Sequence, residues 1–323
     1  MRRTVVLLLL VPVLAAAACA GDESAAPATS SSAAGEPVAP ATSSSVADES
    51  AATTTTSSVA SASVVDGPGR YEMRLESSGA VRRYVVHVPE ALPDPAPLVI
   101  VLHGFTGSPE DAERLTDMHV IGEEEGFVTV YPAARGLVPA WRADRATEDD
   151  ADVRFVRDLV DAVAGELSVD RGRVFVAGMS NGGGMVDRLA CEAADLIAAA
   201  GPVAGAFSDG ECRTAQAVPM IAFHGTGDWI VPFYGFGGVL PSVPAWAADW
   251  SERNGCDRPV PPRSITDDVA EYTWEGCAAE MVLIVVEGGG HGWPGSTEAS
   301  ERGNSTMSVS ASAMIWEFFS ASS

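Results

Sequence analysis

The chain has 323 residues, and its 44 acidic and 20 basic side chains give a formal charge of −24 at pH 7. All 20 basic residues are arginines. A surface this acidic repels phosphate and other anions, which excludes nucleic acid as the main partner. We attribute the acidity to solubility rather than to a substrate, and the length and composition favour one folded domain.

Residues 1–18 have the layout of a secretory signal peptide. Two arginines follow Met1, an apolar run covers 5–14, and small alanines precede Cys19. The apolar run is too short to span a membrane as a mature helix. The small residues fit a bacterial lipobox, although Ala16 stands where leucine is commoner. We expect lipidation at Cys19, with ordinary signal cleavage as the alternative.

The segment 19–66 consists largely of Ser, Thr, Ala and Pro. Such a composition cannot bury enough apolar surface to offset the entropy of ordering, so it predicts a disordered tether. The folded domain is therefore expected to cover 67–323.

Short apolar runs within this domain predict strands. They lie at 84–88, 98–102, 127–131, 174–177, 198–203, 220–224 and 281–286. Helical spacing of apolar residues follows the acidic pair Asp149-Asp150 as far as Leu167, and further helices are predicted at 183–194, 243–254 and 308–319. This alternation predicts an α/β fold with one mostly parallel central sheet and helices on both faces.

A strand–turn–helix pattern surrounds Ser180. The apolar 173–177 leads into Gly178-Met179-Ser180-Asn181-Gly182, and a helical stretch follows. GxSxG in this setting indicates the nucleophile elbow of an α/β-hydrolase, in which Ser180 is the nucleophile. Glycines are needed because the serine backbone is strained and neighbouring chain lies close to it.

A serine nucleophile needs a histidine base, and in this fold the acid and then the base follow it in the chain. His291 comes after the last predicted strand, in a glycine-rich loop, and Asp228 follows the strand at 220–224. We expect Asp228 to orient His291, with Asp209 and Asp249 as rival acids. His224 and His103, each at a strand end, are interpreted as structural.

The oxyanion of an acyl-transfer intermediate requires preorganised N–H donors. Asn181, after the nucleophile, supplies one, and Phe105, in the loop after 98–102, supplies the other. Thr106 is the alternative second donor.

This set of residues predicts carboxylic ester hydrolysis through an acyl-enzyme, without a metal or other cofactor. The same groups could serve a cell-surface acyltransferase or a peptidase, and an inactive surface-binding protein is the alternative of a different class. We expect a monomer that meets the membrane only through its N-terminal lipid.

Cysteine usage indicates disulfides rather than a metal site. Cys191, Cys212, Cys256 and Cys277 form an even set in an exported domain and lack the CxxC spacing of zinc sites. Four cysteines allow three connectivities. We prefer Cys191–Cys212 with Cys256–Cys277 because each pairing closes a short loop.

Four motifs carry a resemblance over about 80–320. They are His103-Gly104, the elbow around Ser180, His224-Gly225-Thr226-Gly227-Asp228 and His291-Gly292-Trp293-Pro294. They resemble those of the polyhydroxybutyrate depolymerase and feruloyl esterase family, with bacterial lipid-anchored esterases as the nearest in layout.

The resemblance implies that the substrate is an ester, either a small molecule or one linked to a polysaccharide or polyester. By similarity, Trp141 and Trp293 are expected at the cleft, with core packing as the alternative for each. The chain shows no separate polymer-binding domain, which argues against degradation of crystalline polyester. The short stretches between Ser180, Asp228 and His291 leave little room for a lid, so we expect small soluble esters with short or aromatic acyl groups. Phe233, Tyr234 and Phe236, in 230–243, could line one wall of an acyl pocket.

Overall fold

The computed structural model describes residues 65–208, 212, 216–298 and 305–322. The predicted signal peptide, Cys19, the tether up to residue 64 and the rival acid Asp209 lie outside these residues. No helix of the described part is both long and apolar enough to cross a membrane.

Eleven strands of the described residues form one sheet. They are β1 (Gly69–Ser77), β2 (Ala80–Val88), β3 (Ala96–Leu102), β4 (Val128–Pro132), β5 (Val169–Met179), β6 (Ala199–Val203), β7 (Met220–Gly225), β8 (Arg258–Pro259), β9 (Arg263–Ser264), β10 (Val269–Glu275) and β11 (Met281–Val286). Their order is β1-β2-β4-β3-β5-β6-β7-β11-β10-β8, and β9 pairs with β10.

The centre of the sheet is parallel and its flanks are antiparallel. Strands β4, β3, β5, β6, β7 and β11 run parallel to one another. On one side β2 pairs antiparallel with both β4 and β1, and on the other β10 pairs antiparallel with β11. The expected parallel centre is confirmed, and the antiparallel flanking strands β1 and β8–β10 are additional.

Six helices of the described residues cover the sheet. They are α1 (Pro109–Thr116), α2 (Met118–Glu125), α3 (Ala151–Glu166), α4 (Asn181–Glu192), α5 (Val243–Arg253) and α6 (Ala311–Ala321). Apolar side chains of α3, α4 and α5 belong to one buried cluster, and those of α1, α2 and α6 to another. Alternate residues of β3 divide between the two clusters: Leu98 and Ile100 join the first, Val99 and Val101 the second. The sheet is therefore buried on both faces, which explains why its central strands are apolar throughout.

The predicted disulfide connectivity is confirmed. Cys191 at the end of α4 is bonded to Cys212, and Cys256, after α5, is bonded to Cys277, after β10. Disulfides persist in oxidising compartments outside the cytoplasm. The two bonds therefore agree with an extracellular location.

A buried carboxylate anchors α5 to α4. Asp187 of α4 accepts hydrogen bonds from the indole N–H groups of Trp246 and Trp250, at 2.9 and 2.8 Å. Burial raises the pKa of Asp187, and Arg145, with Nε 3.5 Å from the carboxylate, acts in the opposite direction. The two tryptophans, four residues apart on the helix, are core residues, as their spacing predicts.

Candidate active site

Ser180 lies in a sharp turn between β5 and α4. Its backbone has φ 58° and ψ −118°, in the region of positive φ that side chains other than glycine rarely adopt. Two hydrogen bonds hold this conformation: the Ser180 N–H donates to Val203 at 2.9 Å, and its carbonyl accepts from Ala206 at 3.0 Å. The strained turn is the geometry expected of a nucleophile elbow.

Gly182 allows the elbow to approach β3. A Cβ at this position would lie 2.3 Å from the carbonyl oxygen of Leu102 and 2.5 Å from that of His103. These are backbone atoms that cannot rotate away. Glycine is therefore required at Gly182 by close contact rather than by its dihedral angles.

Asp228 and His291 come together after two neighbouring parallel strands. Asp228 follows β7 and His291 follows β11, and the Asp228 Oδ2 is 2.7 Å from the Nδ1 of His291. Both side chains are buried. Because carboxyl ends of parallel strands share one edge, this pair and Ser180, which follows β5, lie at the same edge of the sheet.

The carboxylate of Asp228 has partners on both oxygens. Oδ1 accepts from the backbone N–H groups of Ile230 and Val231, each at 2.9 Å, and Oδ2 accepts from His291. Burial acts to raise the pKa of Asp228, but hydrogen bonds from His224 and His291 outweigh it and hold the pKa below its ordinary value. Asp228 is thus ionised at neutral pH, and its charge favours a proton on the Nδ1 of His291.

The loops that carry Asp228 and His291 fit closely against each other. A Cβ at Gly225 would lie 2.1 Å from the Gly289 carbonyl oxygen, and the Gly227 N–H donates to that same oxygen at 2.9 Å. The rival acid Asp249 is exposed on α5. The geometry thus joins His291 to Asp228.

His224, interpreted from the sequence as structural, also lies next to the carboxylate of Asp228. Its Nε2 is 2.8 Å from the Val231 carbonyl oxygen and 3.4 Å from the Oδ2 of Asp228. The spacing of four residues between His224 and Asp228 gave no sign of this contact. The turn after β7 creates it by folding the chain back over the strand end.

His103 braces the loop after β3. Its Nδ1 donates to its neighbour Gly104 at 2.7 Å, and its Nε2 accepts from the Ala134 N–H at 3.0 Å. Burial lowers the pKa of His103, which keeps the ring neutral. With both nitrogens in use, the ring supports the loop, as interpreted from the sequence.

One expected oxyanion donor, Asn181, belongs to the elbow, and the other, Phe105, follows Gly104, where a Cβ would lie 3.5 Å from the Cβ of Ser180. Asn181 is the first residue of α4, where backbone N–H groups have no partner within the helix. Within the described residues the Phe105 N–H also has no acceptor, whereas the Thr106 N–H donates to Pro139 at 2.8 Å. The alternative donor Thr106 is thus already engaged, and the oxyanion role of Phe105 and Asn181 stays a prediction.

Trp141 and Trp293 are both buried, at 3% and 2% exposure. The Trp141 indole N–H donates to the His103 carbonyl at 2.9 Å, and that of Trp293 donates to the Ser312 hydroxyl at 3.0 Å. The Asn181 side-chain amide also pairs with the backbone N–H and C=O of Trp141. These contacts agree with the packing alternative for both tryptophans, and a contact with substrate stays a prediction.

The fold and the arrangement at the sheet edge define an α/β-hydrolase. The acetyl xylan esterase from Aspergillus awamori has a similar fold, with a TM-score of 0.58 and 17% identity over 69% of this chain and 94% of that protein. At this identity the likeness concerns the fold alone.

Sequence comparison then gives the family. The sequence model of the family described as esterase PHB depolymerase matches residues 83–228 of this chain. "Putative esterase NocK" of Nocardia uniformis subsp. tsuyamanensis is 30% identical over 260 residues, which cover 68% of this chain and 73% of that protein. "Feruloyl esterase B" of Piromyces equi is 29% identical over 61% of this chain, a match that spans only 39% of that protein's length. The chain belongs to this family of carboxylic ester hydrolases.

Proposed function

We propose that the chain hydrolyses carboxylic esters with Ser180 as nucleophile, His291 as base and Asp228 as the acid that orients the base. The observation that carries this proposal is the 2.7 Å contact between Asp228 and His291, at the sheet edge where the strained Ser180 turn also lies. The contact supports a proton on the Nδ1 of His291, which leaves Nε2 as the nitrogen that would accept a proton.

The proposed reaction has two halves. The Ser180 Oγ attacks the ester carbonyl while His291 takes its proton, and the N–H groups of Phe105 and Asn181 hold the oxyanion. The alcohol then leaves with the proton from His291, which forms the acyl-enzyme. Water, deprotonated by His291, attacks that ester and releases the acid and the free serine.

We propose short-acyl, hydroxycinnamoyl or hydroxyalkanoate esters as substrates. A cavity of about 530 Å³ is lined by Ala206 and Phe207, and by Val239 and Leu240 of the loop before α5. The Ala206 N–H donates to the Ser180 carbonyl, so this cavity lies next to the backbone of the elbow, and its lining does not include the triad side chains. Its size is that of a small-ligand pocket. Relatives named feruloyl esterase and poly(3-hydroxyalkanoate) depolymerase support the same classes.

The aromatic residues of 230–243 differ in their exposure to solvent. Phe233 is buried beside His224, with ring centroids 6.1 Å apart, whereas Tyr234 and Phe236 are largely exposed. The two exposed rings are therefore the ones we propose to contact a planar acyl group. Trp229, next to Asp228, is a further exposed ring.

A fluorophosphonate probe tests the nucleophile. We expect stoichiometric labelling at Ser180, and no labelling of Ser180→Ala, which should retain the fold because it loses only a hydroxyl. Ester turnover by Ser180→Ala should fall by a factor of about 10⁴ or more. Turnover within tenfold of the parent would contradict the mechanism.

A panel of p-nitrophenyl esters, methyl ferulate and a triglyceride emulsion tests the substrate class. We expect a maximum at short acyl chains, or turnover of methyl ferulate, and little triglyceride hydrolysis. A maximum at long chains with activation at the oil interface would make the enzyme a lipase instead.

We further propose that Cys19 carries the lipid that holds the protein at the outer face of the membrane, with 19–66 as tether and 67–323 as catalytic domain. One lipidated cysteine with a long spacer would let the active site reach its substrate. Cys19→Ser should move the protein from the membrane fraction to the medium or leave its signal uncleaved. Recovery of diacylglycerol on the Cys19→Ser protein would refute the assignment.

A further inference from the structure

Two of the five histidines lie away from the proposed active site, and their rings contact each other on the sheet face that carries α1 and α2. His87 of β2 and His119 of α2 stack with ring centroids 4.3 Å apart. The Nε2 of His87 is 2.9 Å from the Oε1 of Glu113, on α1. One potential ligand atom from each of the three side chains lies within 4.8 Å of the other two.

This cluster is separate from the proposed active site. His87 pairs with Thr129 of β4, and Thr129 in turn pairs with Val99 in the middle of β3. The cluster therefore lies beside the sheet rather than at the edge that carries Ser180. A cavity of about 460 Å³ opens onto both histidines.

Two imidazoles and a carboxylate are a ligand set that Zn²⁺ uses in proteins, with water in the fourth position. A tetrahedral ion with bonds of about 2.0–2.1 Å holds its ligand atoms roughly 3.4 Å apart. The 2.9 Å between His87 and Glu113 must open slightly for an ion to replace the proton between them. The His119 ligand atom, within 4.8 Å of the other two, must move inward as its ring turns out of the stack on His87. The adjoining cavity has room for a water ligand.

Tyr131 of β4 holds the His119 ring in place. Its hydroxyl oxygen lies 3.2 Å from the Nδ1 of His119 and accepts from the His119 backbone N–H at 3.0 Å. Such a partner on one ring nitrogen orients the other toward a metal. This leaves the Nε2 of His119 as the nitrogen available to a metal.

Arg70 of β1 is the group that competes with a metal. Its guanidinium donates to both oxygens of Glu113, at 3.0 and 3.1 Å, and to Glu72 at 3.1 Å. The Arg70 side chain is about one third exposed, and Glu72 could retain it if Glu113 turned to a metal. If the three side chains form a metal site, removal of Arg70 should therefore strengthen metal binding. If Glu113 only forms a structural ion pair with Arg70, removal of Arg70 would break that pair without strengthening metal binding.

We propose that His87, Glu113 and His119 bind one zinc ion, which ties α1 and α2 to β2. The site would stabilise the folded state, because the three ligands come from separate elements and converge only on folding.

The test uses the untagged full chain. Zinc binding is measured by competition with a chromophoric chelator, stoichiometry by elemental analysis, and geometry by visible absorption of the Co²⁺ form. We expect one ion per chain, tetrahedral cobalt bands and a melting temperature that rises with zinc. His87→Gln and His119→Gln should each weaken binding about tenfold or more. Glu124→Gln removes an exposed carboxylate from the same helix and should bind zinc as the parent does.

Arg70→Gln removes no ligand and should bind zinc more tightly than the parent. Circular dichroism without zinc checks that each variant is folded. Equal zinc affinity in the parent, His119→Gln and Glu124→Gln would overturn the proposal, because it would assign the binding to the acidic surface. Weaker binding by Arg70→Gln would also overturn it.

Discussion

The two halves of the candidate active site are built by different means. Around Ser180 the geometry is set by backbone: a positive φ, hydrogen bonds from the main chain and a close approach to β3 at Gly182. Around Asp228 and His291 it is set by side-chain hydrogen bonds and charge. The first half should therefore be sensitive to added atoms, and the second to changes of protonation.

Asp228→Asn tests the side-chain half of the site, and we expect it to have the largest effect on turnover of the changes that test this comparison. The amide has nearly the same shape but no charge, so it no longer favours the Nδ1–H tautomer of His291. We expect a fall in kcat on the order of 10³–10⁴ with little change in KM. Asp249→Asn, an exposed change on α5, is the matched control. An unchanged rate in Asp228→Asn would move the acid to another residue.

Gly182→Ala should break the backbone half. Its methyl group would collide with two carbonyl oxygens at the end of β3, so the elbow must shift. We expect a loss of stability of about 1–3 kcal/mol and a clear fall in kcat. Gly165→Ala on α3, where a Cβ meets nothing within 4 Å, should keep full activity and gain slightly in stability. Equal behaviour of the two variants in kinetics and urea unfolding would contradict this contrast.

The disulfides should affect stability more than chemistry. Each closes a loop with a sequence separation of 21 residues, so removal of either should cost on the order of 3 kcal/mol, mainly by freeing the unfolded chain. Paired Cys→Ser variants at Cys191/Cys212 and Cys256/Cys277 can be compared by urea unfolding. We expect ester turnover at 25 °C to persist in both. Loss of activity in a variant that remains folded would mean that its disulfide shapes the cleft.

The two halves should also differ in how their variants change stability with pH, although this effect is smaller than the previous ones. A carboxyl group whose pKa is lowered on folding stabilises the protein above its unfolded pKa of about 3.9, and this contribution is lost as the pH falls through the folded value. The parent should therefore exceed Asp228→Asn in unfolding free energy most at neutral pH, and the gap should shrink below about pH 4. Urea unfolding from pH 7 to pH 3 measures it, with Gly182→Ala as the comparison. A gap that stays constant with pH would contradict the assigned pKa shift.

The sequence by itself determined the central sheet and the order of the candidate triad. Strands β3 to β7 and β11 are apolar on both faces, and these apolar runs can be recognised in the sequence without knowledge of the elements that pack against them. The glycines around Ser180 and the position of Asp228 directly after β7 are equally local signals. The short helices α1 and α2 were not predicted, because each has only eight residues, fewer than are needed to recognise a helical period in the sequence.

The tertiary structure decided which side chains meet and which are buried. Trp141 and Trp293 could equally have faced a cleft, and only the packing around them shows them buried. The strands β1 and β10 have partly exposed faces and polar residues, so pairing with β2 and β11 defines them more than composition does. His87, Glu113 and His119 are brought together by a strand and two helices. Contacts of this kind depend on how elements are placed in space, and no local pattern in the chain encodes that placement.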